Sequence, residues 1–164
     1  MRSLFILFLL LCMPITRAHA LFDSAQISNL SDVTFPTWNI GDGAVSANID
    51  ICIYSIGVLS STDYGVTISA PGGYVLKDGT RQIPFSLFWE DSGFGNLGSN
   101  SGVQLSNNVK LNSRKNPNIF STSCNSLGSN GPTARLYIKI TQADMTAALA
   151  GNYSNTLTIL ISAD

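Results

Sequence analysis

The last third of the chain alternates between apolar and polar residues. In R-L-Y-I-K-I, Leu136, Ile138 and Ile140 point one way, and Arg135, Tyr137 and Lys139 point the other. Further on, Tyr153, Asn155, Leu157, Ile159 and Ile161 share one face, while Thr156, Thr158 and Leu160 take the opposite one. A period of two marks a strand with one buried face. A short segment of helical composition, Thr141 to Leu149, separates the two runs and is long enough for only about two turns. A sheet-rich domain that ends on a core strand is expected to leave a sheet edge unpaired.

The same period recurs upstream. Ala44 to Ser55 places Val45, Ala47, Ile49, Ile51 and Ile53 on one face, with Cys52 and Tyr54 opposite. Tyr64, Val66 and Ile68 are in phase before the Pro71-Gly72-Gly73 break, a strong turn signal. Tyr74 to Leu76 predicts a brief strand, and Asp78-Gly79 after it predicts a hairpin. Ile83, Phe85, Leu87 and Trp89 share a face, and Pro84 among them belongs at a strand start or edge because it cannot donate to a ladder. Val33 to Trp38 is short and β-prone, broken by Pro36. Val103 to Leu111 fits a strand or an extended loop, and Asn112 to Asn118 is polar and expected to be exposed. Many strands joined by Gly-rich turns predict an all-β sandwich.

Residues 1–20 stand apart from this pattern. Arg2 precedes an unbroken apolar run from Leu4 to Met13, Pro14 ends it, and Ala18-His19-Ala20 is a small-x-small cleavage site. The run is about half the ~20 residues a membrane span requires. It predicts a cleaved secretory signal, with the junction at Ala20 and Leu21, and one domain over 21–164. Without Arg2 and Arg17, seven basic side chains face ten acidic ones, a balance of −3. That surface suits neither nucleic acid nor an anionic membrane, and no later stretch predicts membrane insertion. The leader also takes Cys12, leaving Cys52 and Cys124. In an oxidising compartment an even count suggests a pair, the alternative being two separate buried thiols.

Catalytic chemistry finds few side chains to work with. The one histidine, His19, leaves with the leader, so no Ser-His-Asp or Cys-His arrangement is expected. Two distant cysteines make no zinc site. The only glutamate, Glu90, neighbours Asp91, and adjacent carboxylates on a strand point to opposite faces. No cofactor is expected, and the glycines at 41, 43, 93 and 95 read as turns rather than phosphate loops.

Four segments carry a family resemblance: L-S-D-V-T-F-P-T-W-N (Leu30 to Asn39), A-N-I-D-I-C (Ala47 to Cys52), I-P-F-S-L-F-W (Ile83 to Trp89) and A-G-N-Y-S-N-T-L-T-I-L-I (Ala150 to Ile161). The chain resembles the spore coat protein U-type domain of archaic chaperone–usher pilus subunits in Gram-negative bacteria. The last segment is the most specific. The resemblance implies an immunoglobulin-like β-sandwich lacking its last strand, completed by a donor strand from a neighbour. It implies a periplasmic chaperone, an outer-membrane usher and other pilin subunits as partners. The destination would be a surface pilus that supports adhesion or biofilm formation. Leu157, Ile159 and Ile161 would then line the donor-strand groove.

Two departures from the family pattern bear on position in the fibre. No cysteine of the mature chain precedes Cys52, and only Leu21 to Asn29 precede the expected first strand, with apolar alternation that breaks by Leu30. These fit a minor or terminal subunit, whose exposed apolar loops, Val58 and Leu59 or Phe94 and Leu97, would be contact candidates. The competing expectation is a self-contained exported β-sandwich that binds a carbohydrate or protein.

Overall fold

The structure, a computed structural model, describes residues 24–57, 62–93, 96–98, 102–126 and 129–164. The leader, the Ala20–Leu21 junction, and Val58, Leu59 and Phe94 lie outside the described residues. The strands in chain order are β1 (Ser24–Ser28), β2 (Val45–Ile56), β3 (Tyr64–Ser69), β4 (Val75–Asp78), β5 (Arg81–Pro84) and β6 (Ser86–Glu90). They continue with β7 (Val103–Gln104), β8 (Lys110–Arg114), β9 (Asn125–Ser126), β10 (Ser129–Asn130), β11 (Ala134–Ile140) and β12 (Thr158–Ala163). Among the described residues the one helix is α1 (Gln142–Ala147), capped by Thr141, whose side chain accepts from the Asp144 N–H.

Two antiparallel layers make the sandwich. One sheet has the order β1-β2-β11-β6-β7, and the other has the order β12-β3-β8. β4 and β5 form a separate hairpin through Gly79, whose φ of 61° is easily adopted without a Cβ. The inward positions are those the alternation marks: Ile49, Ile51 and Ile53 from β2, Leu136 and Ile138 from β11, Val66 and Ile68 from β3. Trp89 and Tyr64 join the two layers at the centre. Their rings meet edge-on at 6.4 Å, and Trp89 Nε1 donates to the Tyr64 hydroxyl at 3.1 Å. Burial pushes the Tyr64 hydroxyl pKa well up, and the bond from Trp89 offsets only part of it.

Cys52 and Cys124 are bridged, with Cα atoms 5.8 Å apart at a sequence separation of 72. The loop that carries Cys124 also holds β1, because Ser28 Oγ donates to the Thr122 carbonyl at 2.7 Å. β1 pairs with only the second half of β2, from Ser24 opposite Ile56 to Ser28 opposite Cys52. β11 pairs along the first half of β2, on its other edge, and the buried Asn118 continues that line. The Asn118 N–H donates to the Ile53 carbonyl at 2.7 Å, and its carbonyl accepts from the Ser55 N–H at 3.2 Å.

Several expectations need correction. Val33 to Trp38 is not a strand; β1 lies earlier, and Asn29, with φ 63°, turns the chain away from β2 before Leu30. Pro36 has no N–H with which to join a ladder. Ile83 to Trp89 is two strands: the hairpin ladder runs out at Phe85, whose N–H still donates to the Tyr74 carbonyl at 2.9 Å, and β6 then pairs with β11. The polar stretch after Leu111 is partly the strand β8, and Asn118 is buried rather than exposed. The final ladder begins at Thr158, although the half-buried/exposed alternation runs unbroken from Tyr153 to Ile161.

Candidate functional site

β12 is the edge of its sheet, and the geometry of its ladder identifies the rungs that are left over. The Asp164 N–H donates to the Asp63 carbonyl, and the register sets Ser162 opposite Gly65 and Leu160 opposite Thr67. Backbone groups of successive residues point to opposite edges of a strand. Thr158, Leu160 and Ser162 therefore bond to β3, and the N–H and C=O groups of Ile159 and Ile161 face outward. Among the described residues no strand pairs with that edge. Across the sandwich, the first half of β2 is in the same state. Its rungs at Ser46, Asn48 and Asp50 face away from β11, and β1 does not reach them.

Between these edges lies an apolar cavity of about 370 Å³. Its floor is core: Ile49, Leu136, Ile138, Phe85 and Leu76. Leu157 and Ile159 form one wall, and the segment from Leu30 to Val33, with Phe35, forms the other. Asn155 fixes one end, where its Nδ2 donates to the Val75 carbonyl at 2.6 Å and to the Gly73 carbonyl at 3.3 Å. The adjacent Ser154 exchanges backbone bonds of 2.9 and 3.0 Å with Lys77. Tyr74 stacks on Phe85 at 5.7 Å, and its hydroxyl donates to the Ile68 carbonyl at 3.0 Å, which stiffens the floor. Burial raises the Tyr74 pKa.

The inward residues of β12, and Leu157 just before it, are unlike the rest of the core. Val66 and Ile68 on the neighbouring strand are fully buried, whereas Leu157, Ile159 and Ile161 are each only half-buried. The sandwich narrows toward β1 and stands open toward Leu157. Of the three residues expected on the groove, Leu157 and Ile159 line the cavity. Ile161 shares their face and packs on the core beyond its lining. Leu97 is half-buried in its loop. The apolar side chains that stand clear of the surface are elsewhere, with Ile40 92% exposed, Phe120 77% and Leu149 67%. Sequence reading missed them because none belongs to an alternating run: Ile40 and Leu149 have polar or small neighbours, and Phe120 follows Ile119, which is also exposed. The far wall at Val33 and Phe35 was also missed, because β-prone residues suggested a paired strand there.

Among the described residues no three His, Cys, Asp or Glu side chains converge as a metal site would require, and no helix is long and apolar enough to cross a membrane. The groove offers main-chain donors and acceptors beside an apolar trough, which suits an extended peptide.

No protein-family model matches the chain, and no curated protein matches it. Among solved structures the fold is similar to a chain from a study describing a chaperone–tip adhesin complex vital for synergistic activation of CFA/I fimbriae biogenesis. The TM-score is 0.50 at 16% identity, over 87% of this chain and 41% of that one. The chain thus spans about two fifths of the length of the solved chain it matches, and at that identity what the two share is the all-β sandwich fold.

Proposed function

We propose that the chain is a structural subunit, minor or terminal, of a chaperone–usher surface pilus, and that it accepts a strand from another polypeptide. The half-buried inner face of Leu157, Ile159 and Ile161, beside an unpaired edge and an apolar cavity, carries this proposal. An extended segment beside β12 would bond to the outward rungs of Ile159 and Ile161, and its alternate side chains would fill the cavity. A periplasmic chaperone supplies that segment first and a neighbouring subunit supplies it later, at the usher. The fimbrial complex that shares the fold supports this assignment, since a chaperone and a tip adhesin are its named components. The chemistry is strand exchange without covalent change, on a fibre that serves adhesion or biofilm formation at the surface of a Gram-negative cell.

The test is periplasmic expression of the full chain with and without a co-expressed cognate pilus chaperone. The expected result is a one-to-one chaperone complex, with aggregation or proteolysis of the chain when the chaperone is absent. A lone chain that accumulates in the periplasm as a soluble, folded monomer and forms no complex with the chaperone would overturn the proposal.

A further inference from the structure

The outer face of the five-stranded sheet carries a second constellation, on the far side of that sheet from the cavity. β11 sits at its centre and turns Arg135, Tyr137 and Lys139 away from the core. The register places Asn48 on one side of Tyr137 and Phe88 on the other, with Gln104 beyond Phe88. Asn48, Tyr137, Phe88 and Gln104 thus form one row across four strands. At roughly 4.8 Å per strand the row is about 14 Å long. The two rings are half-buried, 6.2 Å apart and inclined at 52°, which makes a shallow apolar notch. The two carboxamides at its ends are exposed.

A cross-strand aromatic pair stabilises a sheet on its own. It does not require an amide at each end or a cation alongside. One row away on each side of Tyr137 stands a basic residue, about 6.6 Å along the strand. Arg135 is committed: its Nε and one terminal nitrogen donate to the two oxygens of Asp50 at 2.5 and 3.0 Å. Lys139 is exposed between Ser46 and Ser86, and among the described residues it has no carboxylate within ion-pair distance.

We propose that this row binds an acidic, uronate-bearing polysaccharide. The apolar face of a pyranose ring lies on Tyr137 and Phe88. Its hydroxyls bond to Asn48 and Gln104, each of which both donates and accepts. Its carboxylate pairs with Lys139, the cation for which this face supplies no partner. Neutral aromatic and amide groups recognise the ring, and the lysine selects the acid. The site does not rest on the strand-acceptor proposal, because the two lie on opposite sides of the sheet and can be occupied together.

The full exported chain, in whatever complex it is recovered, is titrated calorimetrically with polygalacturonate oligomers and with the same oligomers fully methyl-esterified. The acid form is expected to bind at least tenfold more tightly than the ester, and less tightly as salt is added. Tyr137→Ala and Lys139→Gln are each expected to lose tenfold or more, while Tyr137→Phe retains most of the affinity. Lys139 is exposed, so its variant folds even if Tyr137→Ala does not. No binding of the acid, equal binding of acid and ester, or affinity untouched by Lys139→Gln would each overturn the assignment.

Discussion

Tyr64 and Trp89 are the largest fully buried side chains, and each carries a polar group that has to be satisfied out of water. The Trp89 indole N–H has the Tyr64 hydroxyl. Tyr64→Phe keeps the ring and removes the acceptor, leaving a buried donor alone at a cost of about 1–3 kcal/mol. A lower denaturant midpoint with an unchanged slope is the expected result. Thr133 has a comparable position. Its hydroxyl accepts from the Ile53 N–H at 2.9 Å and donates to the Ile53 carbonyl at 3.3 Å. It fills a rung of β2 where β11 has ended. Neither partnership was legible in the sequence, because alternation tells which way a side chain points and not which atom it meets.

At the scale of elements, β8 is fastened to its sheet by charge. Lys110 reaches across Gly65 to Asp164 at 2.6 Å, and the Ser113 N–H donates to the other carboxyl oxygen at 2.7 Å. Burial raises the Asp164 pKa, but those two bonds and the Lys110 charge outweigh it and hold the carboxyl below its ordinary value. A carboxylate depressed in the folded state adds stability above its unfolded pKa, and loses it as pH falls through the folded one. The melting temperature of wild type minus that of Asp164→Asn should therefore be positive at pH 6 and shrink toward zero as pH falls below about 4. Gly65 makes the reach possible. A Cβ there would stand 2.0 Å from Lys110 Cε, so Gly65→Ala pushes the flexible lysine aside and takes the ion pair with it. The two substitutions should be non-additive in a double-mutant cycle, each having removed the same contact.

The strands whose alternation is apolar on one face, β2, β3 and β11, were readable from sequence because burial on one side leaves that signature. β1, with S-A-Q-I-S, and β8, with K-L-N-S-R, were not, because short edge strands bury too little to impose it. Val33 to Trp38 misled in the opposite direction. Val33 and Phe35 are apolar because they face the cavity, and no ladder accompanies them. Reading Cys52 and Cys124 as a pair succeeded on compartment and count alone. In the chain-entropy account, a bridge closing a loop of this length contributes about 4 kcal/mol. A reductant that opens it should lower the denaturant midpoint by a corresponding amount and loosen β1, which is held by Ser28 and Thr122 from the bridged loop.

At the scale of the whole molecule, the sandwich is closed at one end and open at the other. β1 pairs with the second half of β2, and among the described residues no strand pairs with the same edge of the first half. From sequence, the alternation of β12 is indistinguishable from that of a fully buried strand, because period reports direction and not depth. The half-burial of Leu157, Ile159 and Ile161 sets them apart from the fully buried residues of β2 and β3, as the proposed strand acceptance requires. It leads to a prediction at adjacent residues of one strand. The amides of Leu160 and Ser162 point toward β3, where the register sets Thr67 and Gly65, so they should exchange slowly with deuterated solvent in the free chain. Those of Ile159 and Ile161 point outward, so they should exchange fast until a partner strand binds and then slow by orders of magnitude. Residue-resolved exchange on the free chain at low micromolar concentration, and again on its complex with the chaperone, reads this directly. The alternation alone belongs to any strand paired on one edge; the slowing at Ile159 and Ile161 on binding is what an acceptor edge adds, and its absence would leave β12 an ordinary edge strand.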